Sequence, residues 1–306
     1  MKPPSPNLEI ETPDADVNRL RQIKKLESLA RAEVGDVWRR LYAGTRLGLS
    51  TEWTGMREYV SGDDIKSISW AASAKTGRIF VKEYEPEKDT QFFILLDTSG
   101  TMKLGVAKSL FEQGVIAAAS LAYISVRNKD KIGFASFSDN VSDIILPNKR
   151  QDQFYRILEK LCSLSVGGET NIKGAIQAVS NILKKRSLIF VVTDLYDNPE
   201  EVIKGVMYAS SRGHKVLFIQ VVDPEPLAPL LRHGVTKVRN EKGEIYDLSD
   251  PLYLNIVYSI IEKTRKEFIN RLIKARIEVI PVKITDLVHT VLMRYFIIRQ
   301  RALIAK

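Results

Sequence analysis

The 306-residue sequence is poor in the residues that build disulfide bonds and zinc or histidine metal sites. Its single cysteine, Cys162, excludes an intramolecular disulfide and a cysteine-based zinc cluster. It stands in the amphipathic run "ILEKLCSL", which predicts a small buried apolar residue. The three histidines are far apart and lack metal-ligand spacing, so we interpret each as structural or surface-exposed: His214, His233 and His289.

A long uncharged apolar run is also missing. The longest one, residues 114–126, has 13 residues, whereas a transmembrane helix needs about 20. Residues 1–16 contain no apolar signal core, and their prolines and acidic residues predict a mobile acidic tail. The apolar segment 287–305 carries three arginines and is expected to be a helix docked on the fold. We therefore expect no membrane span and a cytoplasmic protein.

Basic residues outnumber acidic ones by 46 to 37, which gives a net charge of +9. Such an excess can favour nucleic acid, anionic lipid or an acidic protein partner. The charges are spread along helical patterns such as "EKTRKEFINRLIKAR", which is typical of a solvated helix face. We therefore interpret the basic excess as solvated helix faces and keep nucleic-acid binding through the basic C-terminal helices as an alternative.

The N-terminal third predicts a helical and strand extension over residues 17–89. Residues 17–43 have apolar positions at helical spacing. The stretch "GDDIKSISWAASAKTG" predicts a short helix that Asp63 or Asp64 caps and Gly77 ends. The following "RIFVKEY" alternates as a strand does, and the domain boundary is expected near Asp89.

Residues 90–306 alternate strand and helix patterns. Apolar runs such as "QFFILLD", "KIGFASF", "SLIFVVTD" and "HKVLFIQVVD" are typical of strands covered on both faces. The run "VSDIILP" is expected at a sheet edge, because Pro147 cannot donate to a ladder. The pattern predicts an α/β fold with a doubly wound, mostly parallel sheet and helices on both faces.

Carboxylates and hydroxyls follow the ends of two of these strands. Asp97 ends "QFFILLD", with Ser99 and Thr101 directly after it, and Asp194 ends "SLIFVVTD". Thr170 stands in the loop "GGETN" before a helix. In doubly wound sheets ligands bind outside the carboxyl ends of the strands. Hard oxygen ligands favour Mg²⁺, Mn²⁺ or Ca²⁺, although each residue alone could instead cap a helix or begin a turn.

These residues resemble the metal-ion-dependent adhesion site (MIDAS) of von Willebrand factor A domains. That family's motif reads Asp-x-Ser-x-Ser, followed by a Thr and an Asp on two further loops. Here "DTSGT" matches with Asp97, Ser99 and Thr101, and Thr170 and Asp194 match the other two positions. Thr101 departs from the motif by replacing its last Ser, which keeps the hydroxyl but stiffens the side chain.

The preceding segment, residues 55–89, resembles the signature of the DUF58 family, whose members carry such a domain. The matching positions are Arg57, Tyr59, Gly62, Asp63, Asp64, Trp70, Lys75, Gly77, Val81 and Lys82. The resemblance implies a binding protein and no enzyme. It also implies a bound Mg²⁺ that takes an acidic residue from a protein partner, and an adaptor role for a MoxR-type AAA+ ATPase or its client.

Other interpretations stay open. A metal-dependent hydrolase could use the same rim, although a haloacid-dehalogenase phosphatase needs Asp where Ser99 stands, and no histidine lies in the three rim loops. A structural protein with an empty adhesion site is a further alternative. Within the signature, Trp70 is expected to be a packing anchor. Arg57, Lys75 and Lys82 are expected to pair with the signature's two aspartates, Asp63 and Asp64, locking this lobe to the sheet. The signature could instead be an adaptor surface.

Overall fold

The protein was analysed as a computed structural model. It describes residues 13–32, 51–60, 63, 68–86, 91–104, 109–127, 129–224, 237–239, 245–247 and 250–288. The predicted boundary at Asp89 and the predicted C-terminal helix beyond residue 288 lie outside these ranges.

The extension contains two helices and two strands. They are α1 (Pro13–Ala32), β1 (Thr51–Glu58), α2 (Trp70–Thr76) and β2 (Phe80–Pro86). The prediction of a helix over 17–43 is confirmed only to residue 32, since 33–50 are not described. Strand β1 was not predicted, because Gly55 and a register shift between Trp53 and Gly55 obscure its alternation.

The short helix of the signature begins later than predicted. Ser69 precedes its first residue, and Asp63 does not cap it. Asp63 instead accepts hydrogen bonds from the Arg57 guanidinium at 2.7 Å and from the Val60 backbone N–H at 2.9 Å. The predicted end is confirmed, because Gly77 follows the helix with a left-handed φ of 69°.

The rest of the chain builds the predicted α/β fold. Its strands are β3 (Gln91–Asp97), β4 (Lys131–Phe137), β5 (Val141–Asn148), β6 (Ser187–Thr193), β7 (Lys215–Val222), β8 (Lys237–Arg239), β9 (Ile245–Asp247) and β10 (Glu278–Lys283). Its helices are α3 (Leu110–Arg127), α4 (Gln153–Ser163), α5 (Ile172–Ile182), α6 (Pro199–Ser211) and α7 (Pro251–Lys274).

Six strands form one sheet in the order β10-β7-β6-β3-β4-β5. All neighbours pair in parallel except β4 and β5, so β5 is the antiparallel edge strand that Pro147 predicted. Strands β8 and β9 pair antiparallel as a separate two-stranded sheet. Strand order reverses between β3 and β6, because the chain runs from β3 outward to β5 and then returns to β6. The carboxyl ends of β3 and β6 therefore meet at a topological switch point.

Helices cover both faces of the sheet. Alternating residues of β3 divide between two core clusters, with Ile94 in the first and Leu95 in the second. The first cluster joins the sheet to α1, α3 and α4, and the second joins it to α5, α6 and α7. Leu26 and Ala30 of α1 belong to the first cluster, so this helix packs on the sheet domain. Cys162, predicted to be buried, is half-buried against the same cluster.

No helix within the described ranges combines the length and apolar character that a bilayer crossing requires.

Candidate metal centre

Asp97 lies at the carboxyl end of β3, in the middle of the sheet, and is fully buried. The Ser99 backbone N–H donates a 2.8 Å hydrogen bond to its Oδ1. The Thr193 hydroxyl donates a 2.7 Å hydrogen bond to its Oδ2. Both carboxylate oxygens are therefore held by the chain, which fixes the direction in which their remaining lone pairs point.

Ser99 and Thr101 lie side by side. The Ser99 side chain is buried, and its Oγ lies 3.1 Å from Oγ1 of Thr101. Ser99 precedes a 3₁₀ turn, Gly100–Lys103, but its hydroxyl makes no capping hydrogen bond to that turn. The helix-cap alternative therefore fails for Ser99, and both hydroxyls stay available to a shared ligand.

Asp194 directly follows β6 and closes the cluster from the neighbouring strand. Its Oδ1 accepts a 3.1 Å hydrogen bond from the Tyr196 backbone N–H, which matches the turn that was the alternative interpretation of Asp194. Burial raises the pKa of Asp194, and the hydrogen bond from Thr101 opposes the rise.

The two carboxylates disfavour each other's charge. Burial, the largest cause, and the neighbouring Asp194 carboxylate raise the pKa of Asp97 to about 6, although the hydrogen bonds from Thr193 and Ser99 lower it. A divalent cation between them would replace this repulsion by attraction.

Thr170 lies on a second loop that is tied to the first. The Gly167 backbone N–H donates to the Thr98 carbonyl at 2.8 Å, and the Gly100 N–H donates to the Gly168 carbonyl at 3.0 Å. Gly168 has a φ of 82°, which suits a residue without a side chain. Thr170 itself is half-buried. The hydrogen bonds of the described residues do not join Thr170 to the carboxylates, so its part in the site stays a prediction.

The cap of α5 is the next residue, Asn171, whose side chain accepts from the Gly174 backbone N–H at 2.9 Å. The alternative that Thr170 is only this helix's cap is therefore wrong.

Three further residues form hydrogen bonds that support the candidate site, and the sequence did not predict these bonds. Thr193 bonds Asp97, and Asp197 accepts a 3.0 Å hydrogen bond from the Ile172 backbone N–H, which links the third loop to the helix after Thr170. Gln220 of β7 donates from Nε2 to the Asp194 carbonyl at 3.4 Å. Thr193 and Asp197 lie close to Asp194 in the stretch "TDLYD", and this closeness in sequence could have indicated their supporting roles. Gln220 is distant in sequence and gave no signal.

The donor set fits a hard divalent cation. It combines two carboxylates with the hydroxyls of Ser99 and Thr101, and oxygen ligands suit Mg²⁺, Mn²⁺ or Ca²⁺. Within the described ranges, no three Asp, Glu, His or Cys side chains converge as a metal cluster. Any ion here would thus depend on hydroxyl ligands and on ligands from outside the chain.

Histidine chemistry is absent from the described part of this rim. His214 precedes β7 at the opposite, amino edge of the sheet and is buried. Its Nε2 lies 3.3 Å from the Ser180 carbonyl, and burial lowers its pKa, so the structural role predicted for it is confirmed. His233 and His289 lie outside the described residues.

The signature segment forms a small lobe that presents apolar side chains to solvent. Arg57 pairs with Asp63 through two 2.7 Å hydrogen bonds, as predicted. Trp70 is 67% exposed, so its predicted role as a packing anchor is wrong. The start of α2 at Trp70 explains the difference, because this helix buries none of its residues. We call the exposed apolar side chains of this segment the signature patch: Met56, Val60, Trp70 and Ile79.

Among solved structures, the chain is similar to BatB from Bacteroides thetaiotaomicron, described as a conserved hypothetical protein. The two share 18% identity at a TM-score of 0.47, over 70% of this chain and 99% of that one. It is also similar to the SpRpn10 VWA domain, with 12% identity and a TM-score of 0.40, over 66% of this chain and 93% of that one. The α/β class rests on the sheet topology itself.

Among curated proteins, the chain is similar to an uncharacterized protein of Mycobacterium tuberculosis. They are 21% identical over 207 residues, which are 66% of this chain and 64% of the relative. YeaD of Bacillus subtilis, also uncharacterized, is 27% identical over 101 residues, 33% of this chain and 23% of that protein. The chain thus spans less than two thirds of the length of these relatives. The profile of the family described as "Protein of unknown function DUF58" matches residues 55–250, well over half of the chain, and the protein belongs to that family.

Proposed function

We propose that this protein is a metal-dependent protein-binding module that acts as an adaptor or co-chaperone for a MoxR-type AAA+ ATPase. The observation that carries the proposal is that Thr193, directly before Asp194 at the end of β6, donates a 2.7 Å hydrogen bond to the buried Asp97 at the end of β3. The part of the proposal that names the ATPase and its client rests on the family resemblance alone.

Mg²⁺, or Mn²⁺ or Ca²⁺ in its place, is the proposed occupant of this centre. When bound, the ion supplies a positive charge that accepts a carboxylate from a protein partner. Its proposed ligands from this chain are Asp97, Ser99, Thr101, Thr170 and Asp194. Two carboxylates only neutralise a divalent cation, and hydroxyls add no charge, so an acidic residue of the partner remains attractive to the site.

A binding role, rather than catalysis, agrees with the contacts of the chain's own residues. Asp97 accepts a hydrogen bond on each of its oxygens, and Asp194 accepts one from the Tyr196 backbone N–H. These bonds hold the carboxylates in place and leave lone pairs for an ion, as metal ligands require. We therefore propose that the protein is not an enzyme.

An adaptor needs a second surface, and the signature patch is our candidate for the ATPase contact. Its four large apolar side chains lie on one small lobe, and Trp70 is 67% exposed. Exposed aromatic and apolar side chains in such a group mark protein interaction sites. The Arg57–Asp63 pair stiffens the loop after β1, which carries Val60.

The proposal is tested by calorimetric titration of Mg²⁺ and Mn²⁺ into metal-free protein. Wild type should bind one ion saturably, and Asp97→Asn and Asp97→Ala should abolish binding. The matched control is Asp152→Asn. Asp152 directly precedes α4, shortly after the end of β5. Because β5 is antiparallel to β4, the end of β5 lies beside the start of β4, at the edge of the sheet opposite the candidate metal centre. Equal metal binding by wild type and Asp97→Asn would contradict the site.

The adaptor role needs a separate experiment. The full-length chain would be mixed with the MoxR-type ATPase of the same organism and analysed by pull-down, with Mg²⁺ and with EDTA. We expect Trp70→Ala to lose the ATPase and Asp97→Asn to keep it, since the two surfaces are proposed to be separate. No association by the wild type would remove the ATPase from the proposal and leave the metal centre to be judged by calorimetry.

A further inference from the structure

The turn after β6 presents one aromatic side chain to solvent beside the candidate metal centre. Tyr196 is 73% exposed, two residues beyond Asp194. Leu195 between them is 5% exposed and packs into the second core cluster. Leu195 has a φ of 61°, a left-handed conformation that costs free energy for a residue with a Cβ. In this strained turn Leu195 is therefore buried, and the next side chain, Tyr196, is exposed to solvent.

The residues of the centre hold this turn in place. The Leu195 backbone N–H donates a 3.1 Å hydrogen bond to the Thr193 hydroxyl, which in turn donates to Asp97. The Tyr196 N–H donates to Asp194 at 3.1 Å. Backbone strain of this kind persists where the surroundings over-determine it, and it clusters at binding sites. The position of Tyr196 is therefore coupled to the carboxylates by direct hydrogen bonds.

A second exposed apolar residue lies on the other carboxylate loop. Leu104 is 42% exposed and ends the 3₁₀ turn, where its backbone N–H donates to the Thr101 carbonyl at 3.2 Å. The loop of Leu104 begins at Asp97, which accepts a 2.7 Å hydrogen bond from Thr193, the residue before Asp194. In the sequence, Leu104 thus lies three residues after Thr101, and Tyr196 lies two residues after Asp194.

We propose that Tyr196, together with Leu104 of the other carboxylate loop, forms an apolar contact for the partner, so that the partner segment carries an apolar residue next to its metal-binding Asp or Glu. The proposal rests on the proposed function, because it names the partner of that same site. An aromatic ring at an interface offers a large apolar area with few rotamers to immobilise. A ring beside a carboxylate contact also excludes water and strengthens the electrostatic attraction.

The test is phage display of short random peptides on the immobilised full-length protein, with Mg²⁺ and with EDTA. We expect enrichment only with Mg²⁺, of peptides that place an apolar or aromatic residue beside an Asp or Glu. A selected peptide, resynthesised, should bind Tyr196→Ser at least about fivefold more weakly than wild type. Tyr196→Phe should keep the affinity, because the ring rather than the hydroxyl makes the proposed contact.

The controls separate this proposal from the function on which it rests. Mg²⁺ affinity of Tyr196→Ser should equal that of wild type, since the backbone N–H that bonds Asp194 remains. Tyr155→Ser, which removes another exposed tyrosine from α4, should not change peptide affinity. If wild type binds no Mg²⁺, the proposed function fails and this proposal with it. If Mg²⁺ binds but acidic–apolar peptides are not enriched, only the proposed apolar contact is overturned. The same conclusion follows if such peptides bind Tyr196→Ser as tightly as they bind wild type.

Discussion

The Thr193 hydroxyl donates a 2.7 Å hydrogen bond to Oδ2 of the buried Asp97 carboxylate, across the gap between two adjacent parallel strands. The same hydroxyl oxygen accepts from the Leu195 backbone N–H. One threonine therefore connects the first carboxylate of the candidate metal centre to the loop that carries the second.

Thr193→Val should destabilise the metal-free protein. Valine keeps the shape of the side chain but leaves Oδ2 of Asp97 and the Leu195 N–H without their partner. We expect a loss of about 1–3 kcal/mol in the free energy of unfolding. Urea unfolding would measure it, at a pH about two units above the pKa of Asp97. Thr76→Val, at an exposed position in α2, should change it by less than about 0.5 kcal/mol. Equal values for the two variants would show that the Thr193–Asp97 bond contributes nothing.

Metal affinity should fall as the solution becomes more acidic. A carboxylate binds a metal in its ionised form, and the pKa of Asp97 is raised to about 6 by burial and by Asp194. Below that pH a proton must leave before the ion binds, so affinity should fall by up to about tenfold per pH unit. Calorimetry in a pH series would measure the fall. An affinity that does not change with pH down to 3.8, the ordinary pKa of an aspartate, would show that Asp97 does not coordinate the ion.

The stability of the metal-free protein should respond to pH in the opposite sense. The folded pKa of Asp97 is raised from 3.8 to about 6, so the folded state holds the proton more tightly than the unfolded chain. The stabilisation that Asp97 adds to the free energy of unfolding is therefore fully present below pH 3.8, and it is lost as the pH rises through about 6. Lowering the pH through this window should therefore raise the free energy of unfolding of wild type relative to Asp97→Asn. No difference between the two pH profiles would contradict the raised pKa.

Gly133→Ala should destabilise the sheet. A Cβ on Gly133 of β4 would lie 2.7 Å from Cδ2 of Phe93 and 2.9 Å from the Ile145 carbonyl oxygen. Overpacking of this kind costs about 1–3 kcal/mol. Gly55→Ala in β1 is the matched control, because a Cβ there meets nothing within 4 Å. Thermal unfolding of both variants measures the difference, and comparable melting temperatures would show that the Phe93 ring moves aside freely.

Trp70→Ala should leave the stability nearly unchanged. An exposed side chain contributes little to folding, so we expect a change below about 0.5 kcal/mol in the free energy of unfolding. Phe92→Ala, at a residue only 2% exposed, should cost about 3–5 kcal/mol. Chemical denaturation would compare the two variants. A large loss for Trp70→Ala would return this residue to the packing role first predicted for it.

The α/β class could be predicted because its signal is local. Continuous apolar runs such as that of β3 are typical of strands buried on both faces, and the alternation with helices predicts parallel pairing. The N-terminal extension was harder. Strand β1 contains a glycine and a register shift. Helix α2 starts after Ser69, whose side chain makes no capping hydrogen bond, and not at the aspartates that resemble a cap. The side chain of a potential cap residue can bond several local partners, and the Asp63 carboxylate accepts from Arg57 instead of capping the helix.

For the candidate site, the sequence by itself determined which oxygens stand at the ends of which strands. Asp97 and Asp194 each follow an apolar run, and parallel strands bring such ends to one edge. Only the tertiary structure decided that β3 and β6 are neighbours and that Tyr196 is exposed while Leu195 is buried. It also decided that Thr193 bonds the Asp97 carboxylate and that Gln220 bonds the Asp194 backbone carbonyl. The physical reason is that strand order, and the packing beneath a strained turn, depend on contacts between residues far apart in the chain. A local pattern of residue types does not encode those contacts.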